Sequence, residues 1–509
     1  MMYEPEKSDS AKVARKPANG AEGTASESVE RRAGAEGNAD RTRTHRTPSR
    51  VSVFPGLGRV RERARQEKKE RFTALLHHLS VDLLRAAFFW LKRDAAPGVD
   101  GLTWKEYEQG LEARLVDLHG RVHRGAYRAL PSRRKFIPKG DGQRPLGVAA
   151  LEDKIVQRAL VEVLNAIYEE DFLGFSYGFR PGRSQHDALD ALAFGIIRTK
   201  VNYILDCDVR CFFDSVSHDW LVRFVEHRIG DPRVIRLIRK WLKAGVMEEG
   251  KWTSTEVGTP QGSVASPLLA NIYLHYCFDL WAERWRHREA HGNVIYVRYA
   301  DDILAGFEHE DDAQRFLADM RARLEKFGLA LHPVKTRLIE FGSEAARDRL
   351  AHGLSKPETF NFLGFTHICS RSRRGFFQLK RKTQRERQTK KLKALKAELR
   401  RRMHDPIPEQ GRWLAQVLRG YFAYHAVPTN FRRLSAFRFH LGALWLRALR
   451  ARSQKARVTW DVLSRLKAAY LPEPRILHPW PEARFSVMHP RWKPSARIGP
   501  ARFCAGGVP

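Results

Sequence analysis

The chain has 509 residues, and 91 Lys and Arg against 58 Asp and Glu give it a formal charge of +33 and an isoelectric point near 10.3. Positive charge on that scale implies a polyanionic partner, of which nucleic acid is the natural candidate. No apolar run approaches bilayer length, and Glu4, Glu6, Asp9, Glu22, Glu27 and Glu30 oppose an organelle-import leader, so no membrane partner is expected and the cytoplasm is the expected compartment.

Residues 1–50 are Ala, Gly, Ser, Glu and Arg with few large apolar side chains, too few to offset ordering entropy, and are expected to be disordered. Order is expected from Arg71 onward, where Leu76, Leu79 and Leu83 keep helical spacing until Ala96-Pro-Gly-Val-Asp-Gly101 breaks it. Strands then alternate with helices to about residue 370. Ile137-Pro-Lys-Gly-Asp-Gly-Gln-Arg144 predicts a hairpin that turns at Gly140-Asp-Gly142 and carries the cations Lys139 and Arg144. Ser184-Gln-His-Asp187 predicts a capped helix start, which makes His186 structural rather than a ligand.

Val201-Asn-Tyr-Ile-Leu-Asp-Cys-Asp-Val209 reads as a strand with Asp206 and Asp208 on one face, and Asp214 follows as a turn cap. Farther on, Tyr299-Ala-Asp-Asp302 lies between the apolar runs Asn293–Arg298 and Ile303–Phe307, which predicts a hairpin whose tight turn presents two adjacent carboxylates. Asp is an ordinary turn residue, and a polar turn is the bland reading. The alternative is that divalent cations neutralise the pair, as in phosphoryl transfer between two metal ions. A third ligand would then come from the Val201–Val209 strand or the turn just after it, Asp206, Asp208 and Asp214 all being candidates on residue type alone. The five cysteines form no Cys-x-x-Cys pair, so neither a zinc ribbon nor a disulfide framework is expected.

Residues 371–402 hold fifteen Lys and Arg against two acids in a stretch expected to be mostly helical, with Leu392, Leu395, Leu399 and Met403 as its apolar stripe. Solvated faces usually mix charge signs and this one hardly does, which favours nucleic-acid contact. In Leu414–Pro428, Arg419, Tyr421, Tyr424 and His425 combine cationic and flat groups suited to unstacked RNA bases, against the reading that the aromatics are helical core. Arg447, Arg450, Arg452, Lys455 and Arg457 extend the basic surface, and Pro472, Pro474, Pro479 and Pro481 suggest an extended tail.

The blocks Arg144–Gly147 with Glu152–Arg158, Ser176–Ser184, Gly258–Tyr273, Tyr299–Asp302, Leu331–Thr336 and Phe360–Phe365 stand in the order found in group II intron-encoded reverse transcriptases, which the chain resembles over most of its length. Leu414–Pro428 is similar to the maturase-specific domain of that family. The resemblance implies an α+β right-hand polymerase with reverse-transcriptase fingers and palm over residues 51–370. An all-α basic thumb and maturase domain over 371–470 and a tail over 471–509, extended over the thumb, would follow. Phe213 stands where the family places a bulky ring beneath the incoming sugar, which selects Asp208 as the third catalytic carboxylate and leaves Asp206 and Asp214 as runners-up.

Asp208, Asp301 and Asp302 would then hold two Mg²⁺ ions, with Mn²⁺ as a substitute, and Lys139, Arg144, Phe213 and Gln261 would face the nucleotide. The Ile137–Arg144 hairpin is one residue shorter than the family pattern, which bears on the reach of Arg144. Lys390, Lys391, Lys393, Arg419 and Arg447 would contact RNA. The implied partners are a group II intron RNA, an RNA template with a DNA primer, target DNA and deoxynucleoside triphosphates. The zinc-supported HNH endonuclease of many relatives is read as absent. One rival is a splicing cofactor with a vestigial polymerase fold, whose signature would be loss of the aspartates. Another is a DNA-templated or template-independent polymerase, which the segment after Leu414 opposes.

Overall fold

The structure is a computed structural model that describes residues 54–139, 142–248, 251–254, 257–258, 262–452 and 458–488. The first helix, α1 (Pro55–Gln66), precedes the expected onset of order. Its sequence is rich in Arg, yet Leu57, Val60 and Ala64 recur on one face and are buried. Ser80 caps α2 (Val81–Trp90), and Thr103 with Glu106 forms a capping box that starts α3 (Trp104–Glu108), followed by α4 (Leu111–His123). Antiparallel β1 (Ser132–Lys139) and β2 (Gly142–Val148) make the predicted hairpin, with Lys139 opposite Gly142 and Ile137 opposite Arg144.

Helix α5 (Leu151–Asp171) is buried nearly all round and forms the spine of the main apolar core. The predicted start at Ser184 is a capping box with Asp187, opening α6 (Gln185–Arg198). Strand β3 (Tyr203–Asp208) leads into α7 (Phe212–Ser215), α8 (His218–Glu226) and α9 (Pro232–Lys243). The short strands β4 (Val246–Glu248) and β5 (Lys251–Thr253) extend the first sheet to the order β2-β1-β4-β5.

Helices α10 (Ser266–Leu274) and α11 (Leu280–Arg288) are joined by a π turn over His275–Asp279. Strands β6 (Val294–Tyr299) and β7 (Asp302–Phe307), helix α12 (Glu310–Glu325) and strand β8 (Arg337–Glu340) complete an antiparallel sheet ordered β6-β7-β3-β8. Apolar side chains cover both faces of that sheet, so β6 and β7 read as nearly continuous apolar runs rather than alternating ones. Tyr296, Ala305 and Phe307 pack with Phe316 and Met320 of α12 on one face. On the other, Ile204, Ile295, Val297 and Leu304 pack with Ala188, Leu189, Leu192 and Ile196 of α6.

After α13 (Ser343–Ala351), β9 (Phe360–Phe362), β10 (Phe365–Arg371) and β11 (Phe377–Thr383) form a third antiparallel sheet. The expected helix over 371–402 therefore begins as strand, because Leu379, Arg381 and Thr383 alternate inward across β11 and pair with β10. It becomes α14 (Arg385–Arg401), which with α15 (Ile407–His425), α16 (Phe431–Arg450) and α17 (Trp460–Tyr470) buries a separate core around Leu395, Leu399, Leu418, Phe437 and Trp445.

The proline-rich tail is extended over residues 471–480 and then turns helical, since Pro481 occupies the first position of α18 (Pro481–Met488), where its missing N–H costs nothing. This tail binds α15 to α6 rather than lying over the helical part alone. Leu477 N–H donates to Ala426 O at 2.9 Å, Arg484 pairs with Asp190 at 3.1 Å, and Phe485 stacks on Phe194 at 4.3 Å. Residues 1–50, Lys455, Arg457 and Cys504 lie outside the described residues.

Candidate active site

Register brings the carboxylates together. Asp208 ends β3 and Asp302 begins β7, and the two are direct cross-strand partners. Asp206, opposite Leu304, lies on the same face by the two-residue period. Like charges placed directly opposite each other destabilise a sheet. Cationic compensation comes from Lys335, whose Nζ lies 3.1 Å from Asp208 Oδ2. The segment that carries it is tied to the end of β3, His332 N–H donating to Asp208 O at 2.7 Å and Arg210 N–H to Ala330 O at 2.8 Å. Asp206 is a different case. Burial pushes its carboxyl up to about 7, with Arg337 opposing the shift and Asp208 reinforcing it.

Asp301 occupies the two-residue turn between β6 and β7, together with Ala300 at φ +58°. A positive φ at the first central position belongs to a type II′ turn, where glycine is usual and a Cβ costs about 1–2 kcal/mol. The surrounding structure over-determines this turn. Gly178 lies so close that a Cβ there would come 2.2 Å from Ala300 N. From the opposite face of the sheet, Arg298 Nη1 donates to Ala300 O at 3.0 Å and to Asn271 Oδ1 at 3.0 Å, while Nη2 donates to Ser176 Oγ at 2.7 Å. The same guanidinium pairs bidentately with Asp279 at 2.7 and 2.6 Å, and both side chains are fully buried. Asn271 Nδ2 closes the ring by donating to Gly178 O at 2.8 Å. The turn that presents the carboxylates is thus held by a buried ion pair anchored on the π turn, a common location for such a helical irregularity.

Among the described residues, the donor trio whose ligand atoms lie within 4.8 Å of one another is His291, Asp311 and Asp312 rather than the palm-type carboxylates. That trio has a structural explanation: Asp312 accepts N–H donations from His291 and Gly292 and pairs with Arg315. Phe213 follows the left-handed Cys211 on α7 and is 6 % exposed. Arg144 is half-buried on β2, while the Lys139 side chain and Gln261 lie outside what is described. Gly262, at φ +108°, would place a Cβ 2.7 Å from Gly147 O, so its glycine lets the backbone before α10 approach strand β2 closely.

The expected RNA-facing groups divide. Lys390, Lys393, Arg419 and Arg447 are exposed and Lys391 is half-exposed. Tyr421, Tyr424 and His425 are buried, which overturns their reading as stacking platforms. Tyr421 stacks on Phe437 at 3.7 Å, and Tyr424 donates its hydroxyl to Leu363 O at 2.7 Å. They are core.

The reverse transcriptase (RNA-dependent DNA polymerase) family matches residues 137–367, which contain Asp206, Asp208, Asp301 and Asp302 and the whole β6–β7 hairpin. The chain is 34 % identical to the group II intron-encoded protein LtrA of Lactococcus lactis subsp. cremoris over 43 % of its own length and 37 % of that protein's. Protein YkfC of Escherichia coli is 34 % identical over 55 % of this chain and 77 % of its own length. The chain belongs to the group II intron-encoded reverse transcriptases. An uncharacterized 91 kDa protein in a cob intron of Schizosaccharomyces pombe is also 34 % identical, over 41 % of this chain. The chain spans 32 % of that relative and 37 % of LtrA. As a family member it carries an RNA-directed DNA polymerase domain. Among the described residues no helix is long and apolar enough to cross a membrane.

Proposed function

We propose that this protein copies RNA into DNA by two-metal nucleotidyl transfer, binds the RNA of its own group II intron, assists that intron's splicing and supports its mobility by target-primed reverse transcription. The observation that carries the reading is the cross-strand opposition of Asp208 and Asp302 beside the Asp301 turn, inside the segment that matches the polymerase family. The sheet β2-β1-β4-β5 corresponds to fingers, β6-β7-β3-β8 to palm, and the helices from Arg385 to Tyr470 to thumb and maturase domain. Such a protein works in a cytosol of the bacterial type.

Carboxylate oxygens are the hard ligands that Mg²⁺ prefers, and the pull of Asp208 on the Lys335 ammonium supports a cation-seeking site. Asp208, Asp301 and Asp302 would hold the ions, and Mg²⁺, or Mn²⁺ in its place, would stabilise charge on the attacking and leaving oxygens. The remaining work belongs to the chain. Lys139 and Arg144, near the tip of the β1–β2 hairpin, would bind the triphosphate of a deoxynucleotide, and Gln261 would approach the nascent pair. Phe213 would exclude the ribose 2′-hydroxyl. Replacing Phe213 by Ala should therefore raise ribonucleotide incorporation relative to deoxynucleotide, read from competing single additions; an unchanged ratio would place the gate elsewhere.

Splicing chemistry belongs to the intron RNA, and the protein has only to stabilise its active shape. Asp301→Asn should accordingly abolish cDNA synthesis while still promoting splicing of the cognate intron. Arg419→Ala with Arg447→Ala, both exposed, should impair splicing more than extension of a short generic primer. Both assays on both proteins test the reading. If the folded metal-site variant loses splicing in proportion to polymerisation, the two functions share one site. Lys390, Lys391 and Lys393 on α14 belong to the same RNA surface, whose binding should weaken steeply with salt as phosphate contacts are lost.

A further inference from the structure

Away from the carboxylates, helix α9, the β4–β5 hairpin and the segment Arg128–Pro131 enclose a groove of about 540 Å³. Its charged and aromatic lining is Arg128, Arg236, Arg239, Lys240, Lys243 and Trp252, with no carboxylate. The sequence of α9 explains the segregation. Val234, Ile235, Leu237, Ile238, Trp241 and Leu242 are buried, so every cation at helical spacing from Arg236 to Lys243 falls on the opposite face. Like charges three and four residues apart weaken a helix, and an anion bound along the row would offset that cost.

Among the described residues little does so. Arg239 reaches Glu226 at 3.1 Å, and Lys240 donates to Gly125 O at 3.0 Å and to Tyr127 O. Arg128, Arg236 and Lys243 have no carboxylate partner among the described residues. Burial, and then the charges of Arg236 and Arg128, hold the Lys240 ammonium below its ordinary range, the direction expected where cations crowd.

The aromatic wall is an independent observation. Trp252 is 55 % exposed, yet its ring is seated: Nε1 donates to Ala244 O at 3.2 Å. Gly245, at φ +75°, lies so close that a Cβ would come 2.6 Å from the same nitrogen. A hydrogen-bonded indole with an open surface, beside a row of cations in which Arg239 alone has a carboxylate partner among the described residues, combines the two elements that bind single strands, a stacking platform and an electrostatic groove. The volume is that of a small-ligand pocket, which takes a strand rather than a duplex.

The groove is separate from the nucleotide site. Ser132 at the start of β1 pairs with Val246 at its edge, whereas Lys139 lies at the far end of the same strand. At about 3.3 Å per residue the two ends are on the order of 20 Å apart.

We propose that this groove is a second nucleic-acid site, which binds a single-stranded polynucleotide with phosphates on Arg236, Arg239 and Lys243 and one base on Trp252. The assignment rests on the polymerase reading for its class of partner. The test titrates the full-length protein with a labelled oligouridylate, an oligodeoxythymidylate of equal length and a duplex, across a range of salt. Arg236→Gln with Lys243→Gln should weaken single-strand binding and flatten the slope of log K against log salt by about 1.4, at roughly 0.7 for each phosphate contact. Trp252→Ala should weaken it about tenfold, and Trp252→Phe should restore most of the loss. Crosslinking from 4-thiouridine should map to the peptide containing Trp252. The tighter of the two single strands names the source as RNA or DNA. Unchanged affinity and slope in the double variant, equal losses for Ala and Phe at 252, or preference for the duplex would each overturn the proposal. Extension of a short primer by these variants should stay at the parental rate; absence of extension in the parent would instead refute the polymerase reading and leave the binding result standing.

Discussion

Asp301→Asn, or Asp208→Asn, should lower extension of a DNA primer on an RNA template by at least about a thousandfold, a loss of roughly 4 kcal/mol in transition-state stabilisation. The substitution keeps side-chain volume and removes only the charge that a hard cation requires. Activity of the parent should disappear on chelation and return with Mg²⁺ or Mn²⁺. Stability should move the other way at the neighbouring ligand. Asp208 and Asp302 are direct cross-strand partners of like sign, a pairing that costs a sheet about 0.2–1 kcal/mol. Asp302→Asn should therefore unfold in chelator no more easily than the parent while being inactive. That combination distinguishes a carboxylate retained for chemistry from one retained for the fold. Near-parental extension by any of the three variants would remove the assignment of these residues as metal ligands.

What was legible in the sequence is what has a local period or a local partner. The hairpin at Tyr299–Asp302 follows from two apolar runs and a two-residue gap, and the start of α6 from a Ser and an Asp three positions apart. The stripe Leu395 and Leu399 is buried where helical spacing puts it. Readings failed where the deciding partner is remote. Tyr421 and Tyr424 fit an RNA platform and a core equally well from their spacing. Phe437 and Leu363 decide the matter, and no pattern within α15 announces them. Helix α1 is hard to read from sequence because its buried positions, Leu57, Val60 and Ala64, are few and stand among arginines. Lys335 stood in a recognised block, but its approach to Asp208 depends on how that block docks on β3.

Arg298 is the clearest instance of a role that sequence conceals, and it carries the second large expectation. A lone Arg in the run Val-Ile-Tyr-Val-Arg-Tyr reads as a strand end, whereas the fold buries it against Asp279, a residue of the π turn. Replacing Arg298 by Met, or Asp279 by Leu, leaves one charge buried without its partner and should cost about 3–5 kcal/mol of stability. The double replacement removes both charges and should recover much of that loss, since apolar groups of similar volume fill such sites at little cost. Urea unfolding of the four proteins gives the coupling directly. Arg298→Lys separates folding from positioning. A lysine keeps the charge, but three donors on one nitrogen cannot reproduce a planar fork that meets Asp279, Asn271, Ser176 and Ala300 O together. The Lys variant should be more stable than the Met variant, with kcat for extension reduced and KM for the nucleotide little changed, because the Asp301 turn loses its fixed geometry. Parental kcat in that variant would mean that the turn is held by Gly178 and its own strands, and that the ion pair serves stability alone.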